Sequence, residues 1–275
     1  MKSLFVTALM EEARPFIGLL GLKKMQFPGN LGLYARGTTR LLITGIGRIQ
    51  AAINLTRLLQ QDLHEPYAHI INVGICGCGN LTLPLGTACL VNKITEEATR
   101  RVFIPDRLYT SCFPETALVT VDLPKTNRAG NDPTLYDMES SGLFQAATHF
   151  LTADRIHFIK VVSDYLEGHF PSKANIQELV GKSASAVVDY VSSLPGGQPD
   201  PILAPEESQA LESAGSALGL TQTQSIQLRN SAIHFKLANP GRPLIDVITN
   251  FSTMAPSGKS GRNAILSKLR HALGA

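Results

Sequence analysis

The stretch KVVSDYLEG, residues 160–168, begins as a buried strand and stops on an acid. Ile159, Val161 and Val162 supply the β-branched run that a strand interior favours, and Ser163 and Asp164 follow directly. One reading makes Asp164 a cap or turn residue. The other lets it reach a ligand, because open α/β sheets bind ligands beyond the carboxyl ends of their strands. The stretch alone leaves both open.

Working outward, the same kind of run recurs. LFVTAL (4–9), RLLITGIG (40–47), AHIINVGICG (68–77), GTACLVNKI (86–94), TALVTVDL (116–123) and IHFIKVVSD (156–164) read as strands. Helical stretches separate several of them: 11–22, 48–61 and 138–149. The alternation predicts an α/β fold, a central sheet flanked by helices on both faces. The helix after Gly47 shows an apolar face of Ile49, Ala52, Ile53, Leu55, Thr56 and Leu59. A long amphipathic helix over 174–194 closes this part.

There the composition changes. Residues 195–204 are rich in proline and glycine and read as a linker. Residues 205–275 look entirely helical, a small all-α domain appended to a first domain of residues 1–194. In its last helix Ile265, Leu266, Leu269 and Leu273 share one face. That face either packs on neighbouring helices or docks a protein partner.

Bulk properties exclude more than they assign. A net charge of +3 on 275 residues is too mild to argue for nucleic acid. Cys76, Cys78, Cys89 and Cys112 have no metal-ligand spacing and read as reduced thiols. The N-terminal apolar run is too short for a secretory signal, and no stretch is long enough to span a membrane. A cytoplasmic protein is expected.

Four places carry polar groups or free backbone where carboxyl ends of strands should lie. Glu11 and Glu12 follow the first strand, where acids also complement a helix dipole. Gly45 and Gly47 form a turn whose N–H groups suit an anion, though many tight turns use glycine for freedom alone. Gly74, Gly77 and Gly79 permit close approach of a ligand to backbone, and Glu139 follows Met138 at a helix start.

In order and spacing these segments resemble the nucleoside phosphorylase/nucleosidase superfamily, in its methylthioadenosine/S-adenosylhomocysteine nucleosidase branch. TALMEEARPF is similar to that family's opening strand and acidic helix start. GIGRIQAAINLTRLL is similar to its GIGK-type segment, and INVGICGCGNLTLPLGTACLV to its NTGSAGGL segment. YDMESSGLFQAA resembles its MEAT/MESA motif and VVSDY its ISD motif. The resemblance spans about residues 1–194 and implies a phosphorylase/hydrolase-like mixed sheet. It implies cleavage of the N-glycosidic bond of a 5′-modified purine nucleoside, with adenine as the base. Asp164 would protonate the departing base and Glu12 activate the water. Glu139 would bind the ribose hydroxyls and steady the oxocarbenium-like charge, with Met138 against the sugar. Gly47, Ile75, Cys76, Gly77 and Ser163 complete the expected substrate-binding set. No metal or organic cofactor is implied, and a homodimer or higher oligomer is.

The departures are specific. Ile75 stands where the family has a serine that helps bind water or phosphate. Pro124, with Lys125 beside it, replaces a purine-stacking phenylalanine, and the segment between Val91 and Val119 is short, as in a shortened nucleosidase-like branch. Two other readings stand beside hydrolysis. In a phosphorylase, phosphate would replace water, with Arg48 as a ligand behind the glycine turn. Alternatively, the chain is a non-catalytic nucleoside sensor or adaptor acting through its helical part.

Overall fold

Strands that are apolar on both faces need a helical layer on each side, and the chain supplies both. The computed structural model describes residues 2–27, 31–62, 67–79, 81, 83–127, 134–168, 170–196, 203–239, 242–252, 254 and 258–274. By its contacts it divides into two units, Met1–Gly197 and Gln198–Ala275. Of the expected linker at 195–204, residues 197–202 lie outside the described residues.

The first unit runs β1 (Ser3–Thr7), α1 (Met10–Leu20), β2 (Lys23–Met25), β3 (Gly32–Arg36), β4 (Thr39–Ile43) and α2 (Arg48–Gln61). There follow β5 (His69–Cys78), β6 (Ala88–Glu96), β7 (Val102–Phe103), β8 (Glu115–Thr120) and β9 (Leu135–Asp137). Helix α3 (Ser140–Ala147), β10 (Ile156–Asp164) and α4 (Lys173–Ser193) complete it. Parallel pairings join β4 to β1, β1 to β5 and β5 to β10, so their carboxyl ends meet on one edge. The sheet also closes on itself. β10 pairs with β6, β6 with β8, β8 with β9, and β9 returns to the last residues of β5.

Alternation distributes the core. Leu4, Val6, Phe158 and Val162 pack with Leu55 and Leu58 of α2 and Leu143 of α3. Phe5, Ile159 and Val161, one residue out of phase, pack with Phe16 of α1 and Val180 and Val187 of α4. One expectation is corrected in α2. Ile49 and Ile53 are 67% and 50% exposed, while Ala51, Asn54, Leu55, Leu58 and Leu59 are buried. The buried stripe includes an asparagine, whose amide donates to the Thr44 carbonyl at 2.8 Å. A polar residue with a backbone partner thus sits where periodicity looks for an apolar one.

Beneath the opposite ends of β5 and β10 lies a buried polar chain. Tyr190 Oη is 3.0 Å from His157 Nδ1, and His157 Nε2 is 3.0 Å from His69 Nδ1. His69 Nε2 is 3.1 Å from the Pro195 carbonyl, which can only accept. Burial favours the neutral form of both imidazoles, and with neutral rings that acceptor sets the direction of the chain: His69 donates through Nε2, His157 through its own Nε2, and Tyr190 donates to His157.

The second unit contains α5 (Pro205–Ala217), α6 (Gln222–Ala238), α7 (Leu244–Ser252) and α8 (Gly258–Ala272). Its core gathers Leu211, Leu228, Phe235, Leu244, Ile248 and, from α8 and just beyond it, Leu266, Leu269 and Leu273. The apolar face of the last helix is therefore largely occupied within the unit. Among the described residues no helix is long and apolar enough to cross a membrane.

Candidate active site

The carboxyl ends of β1, β5, β9 and β10 surround a cavity of about 340 Å³. Glu12, Ile75, Cys76, Gly77, Met138, Glu139, Ser163 and Asp164 all line it. Each arrives on a different structural logic. Glu12 is the third residue of α1 and reaches back over the helix start, its Oε2 accepting from Ala8 N–H at 2.8 Å and Leu9 N–H at 2.9 Å. Its Oε1 accepts from Ile75 N–H at 2.9 Å, which ties α1 to β5. Glu12 is thus a helix-capping acid and a cavity residue at once. Gly74 makes this possible, because a Cβ there would lie 2.9 Å from Glu12 Oε1. Burial pushes the Glu12 carboxyl above its ordinary value, against the pull of three backbone N–H groups and the Lys160 ammonium.

Glu139 directly precedes α3, and its Oε1 accepts from Gly47 N–H at 2.8 Å. Burial, then the neighbouring Asp137, pushes its carboxyl up to about 7. Gly47 itself does not line the cavity: its N–H serves Glu139 instead of a bound anion. The close approach of α2 to α3 depends on Gly142, where an added Cβ would fall 2.1 Å from the Arg48 carbonyl oxygen.

Asp164 ends β10. Its Oδ2 accepts from Ser163 Oγ at 2.8 Å and its Oδ1 from Leu166 N–H at 3.0 Å. The second bond is the turn contact anticipated for an acid after a strand, yet the same carboxylate faces the cavity. Ile75 offers backbone and hydrocarbon only. Val121, Pro124, Leu166 and Phe170 add apolar wall, and Lys125 lies among them with its Nζ 2.9 Å from Glu97 Oε1.

Arg48 does not enter the cavity wall. Its guanidinium binds Asp122 through Nε at 2.6 Å and Nη2 at 3.1 Å, and Glu96 through Nη1 at 2.8 Å. A doubly paired guanidinium of this kind is poorly placed to hold a phosphate.

Two residues outside the expected set stand at the site: Asp137 lines the cavity, and Lys160 is bonded to it from behind the wall. Lys160, 1% exposed in the middle of β10, bonds Asp137 Oδ2 at 2.8 Å. Asp137 also accepts from Thr120 Oγ1 at 2.8 Å, Ser140 N–H at 2.9 Å and Ser140 Oγ at 2.6 Å. A lone lysine inside IHFIKVVSD was the available signal, since lysine is almost never fully buried without a partner.

No family model matches the chain, and no curated protein matches it. Solved structures do. The apo 5′-methylthioadenosine nucleosidase of Arabidopsis thaliana superposes with a TM-score of 0.57 at 19% identity, over 71% of this chain and 96% of that one. The Neisseria meningitidis 5′-methylthioadenosine/S-adenosylhomocysteine nucleosidase, in complex with methylthio-immucillin-A, gives 0.58 at 15%, over 70% and 100%. A futalosine hydrolase mutant of Helicobacter pylori gives 0.55 at 12%, over 70% and 100%. This chain has the fold of the nucleoside phosphorylase/nucleosidase superfamily.

Proposed function

We propose that the protein is a nucleosidase that hydrolyses the N-glycosidic bond of a 5′-modified purine nucleoside, releasing adenine. The observation that carries this reading is the convergence of Glu12, Glu139 and Asp164 on one cavity. The solved structures named above support the hydrolytic class. Glu12, held by three N–H groups with its carboxyl raised by burial, takes the proton of the attacking water. Glu139 binds the ribose hydroxyls and, as a carboxylate, offsets positive charge at the anomeric carbon. Asp164, steadied by Ser163 and Leu166, delivers a proton to the leaving base. Met138 packs on the sugar, and the backbone of Ile75, Cys76 and Gly77 forms the adjoining wall.

Water is favoured over phosphate as the nucleophile by the pairing of Arg48 with Asp122 and Glu96 and of Gly47 N–H with Glu139. A buried Glu12 carboxylate would also repel phosphate. The working form is a homodimer or larger: Ile46 lines the cavity while exposed, and Ile49 and Ile53 extend that apolar surface along α2. Incubation with methylthioadenosine, S-adenosylhomocysteine and 5′-deoxyadenosine in phosphate-free buffer should release adenine and free sugar. Binding of these nucleosides without turnover would instead mark a sensor.

A further inference from the structure

We infer that Lys160, locked to Asp137, is a positioning residue that sets the charge state in which Glu12 and Glu139 meet the substrate. The assignment rests on the nucleosidase reading and adds to it a residue that touches no reacting atom. The pair is fully enclosed, with side chains 1% and 0% exposed and 2.8 Å between Nζ and Oδ2. Such a pair is a poor device for stability alone, because desolvating two ions offsets most of their attraction. Its location is more telling. Lys160 is in register with Gly74 on β5, the residue against which Glu12 Oε1 lies, and with Cys89 on β6. Asp137 stands two residues before Glu139 and receives the first turn of α3 through Ser140.

The groups around the ammonium are therefore Glu12 from α1, Asp137 from the end of β9, Glu139 from the start of α3, Cys76 from β5 and Cys89 from β6. The thiols are neutral, since burial pushes them up, Cys89 to about 11. Three carboxylates in one dry place cannot all stay ionised without a cation. Lys160 provides it: although burial works against the charge, Asp137 and Glu139 hold the ammonium above the ordinary lysine value. Asp137 acts on Glu139 in the opposite sense, raising the carboxyl that Lys160 lowers.

That opposition gives the test. The pH dependence of kcat/KM is measured for the wild type, Lys160→Met, Lys160→Arg and Asp137→Asn. The expected result is an acid limb displaced upward by about one pH unit or more in Lys160→Met and downward in Asp137→Asn, with Lys160→Arg near wild type. Displacements in the same direction, or none, overturn the assignment and leave the pair structural. The same variants are compared by thermal unfolding across pH, with no substrate present. A buried carboxyl raised from 4.5 to about 7 makes stability fall as pH rises through that interval. Lys160→Met should extend the fall to higher pH and Asp137→Asn should shorten it. If the wild type releases no base, the nucleosidase reading fails, and these unfolding profiles alone uphold or overturn the role of Lys160. Should Lys160→Met not fold, the downward shift in Asp137→Asn, or its absence, decides.

Discussion

The carboxylates of the site differ in how they are held, and their substitutions should differ accordingly. Asp164→Asn keeps the shape and the Ser163 and Leu166 contacts while removing the transferable proton. Turnover is expected to fall roughly a hundredfold or more with nucleoside affinity little changed. Retention of most activity would reduce Asp164 to a turn residue. Glu12→Gln should abolish hydrolysis and leave binding measurable by calorimetry, although its amide also meets three N–H donors that the carboxylate satisfied. Glu139→Gln should harm ribosides more than 2′,3′-dideoxy analogues, compared by their kcat/KM. Gly74→Ala pushes a methyl against Glu12 Oε1 and should lower kcat without touching the substrate itself.

At the level of elements, the His69–His157 chain makes a pH prediction whose sign follows from burial. Desolvation lowers both imidazoles, His157 from 6.5 to about 3. The unfolded chain therefore binds protons that the folded one refuses, and stability is lost as pH falls from about 6.5 toward 3. Each pKa unit is worth roughly 1.4 kcal/mol. Glu139 acts in the opposite sense between 4.5 and about 7, so the histidine contribution is read as the difference in urea midpoints between wild type and His157→Asn, which should narrow as pH falls. The elements also show what could be read from the chain. β10 and α2 form over the residues anticipated: Ile156, Ile159, Val161 and Val162 favour a strand despite the Lys160 among them, and α2 keeps its span although its buried face is not the one its apolar spacing suggested. β9 spans only Leu135–Asp137, between the preceding strand β8 and the distant β5, and three residues are too few for a local pattern to announce it. Asp164 reads in the sequence as an acid at a strand end and Glu139 as an acid at a helix start, while Glu12 is separated from Glu11 only by the family resemblance. Asp137 and Lys160 carry no such mark in sequence, because their meaning lies in a contact between them across the sheet.

For the whole molecule, the boundary between the units can be tested by cutting. A chain ending at Gly197 keeps α4 and the Pro195 carbonyl that His69 bonds, and should fold and release adenine. A chain ending at residue 194 loses that acceptor and should melt at a lower temperature. Failure of the longer fragment to fold would make the helical unit integral to the first. Replacing Ile49 and Ile53 with aspartate should leave secondary structure intact and produce monomers by sedimentation, with activity reduced if a second copy completes the cavity.

The closure of the sheet has a kinetic consequence. β5 cannot complete its pairing until β10 arrives, joining Ile70 to Ile156 and Gly77 to Asp164 across a long interval of chain. Contacts so remote in sequence form late, after loop-closure entropy has been overcome. Lys160 and Asp164 both lie within that last closure. During refolding from urea, catalysis should therefore return with the slowest phase that restores tertiary signal, and an earlier helical intermediate should be inert.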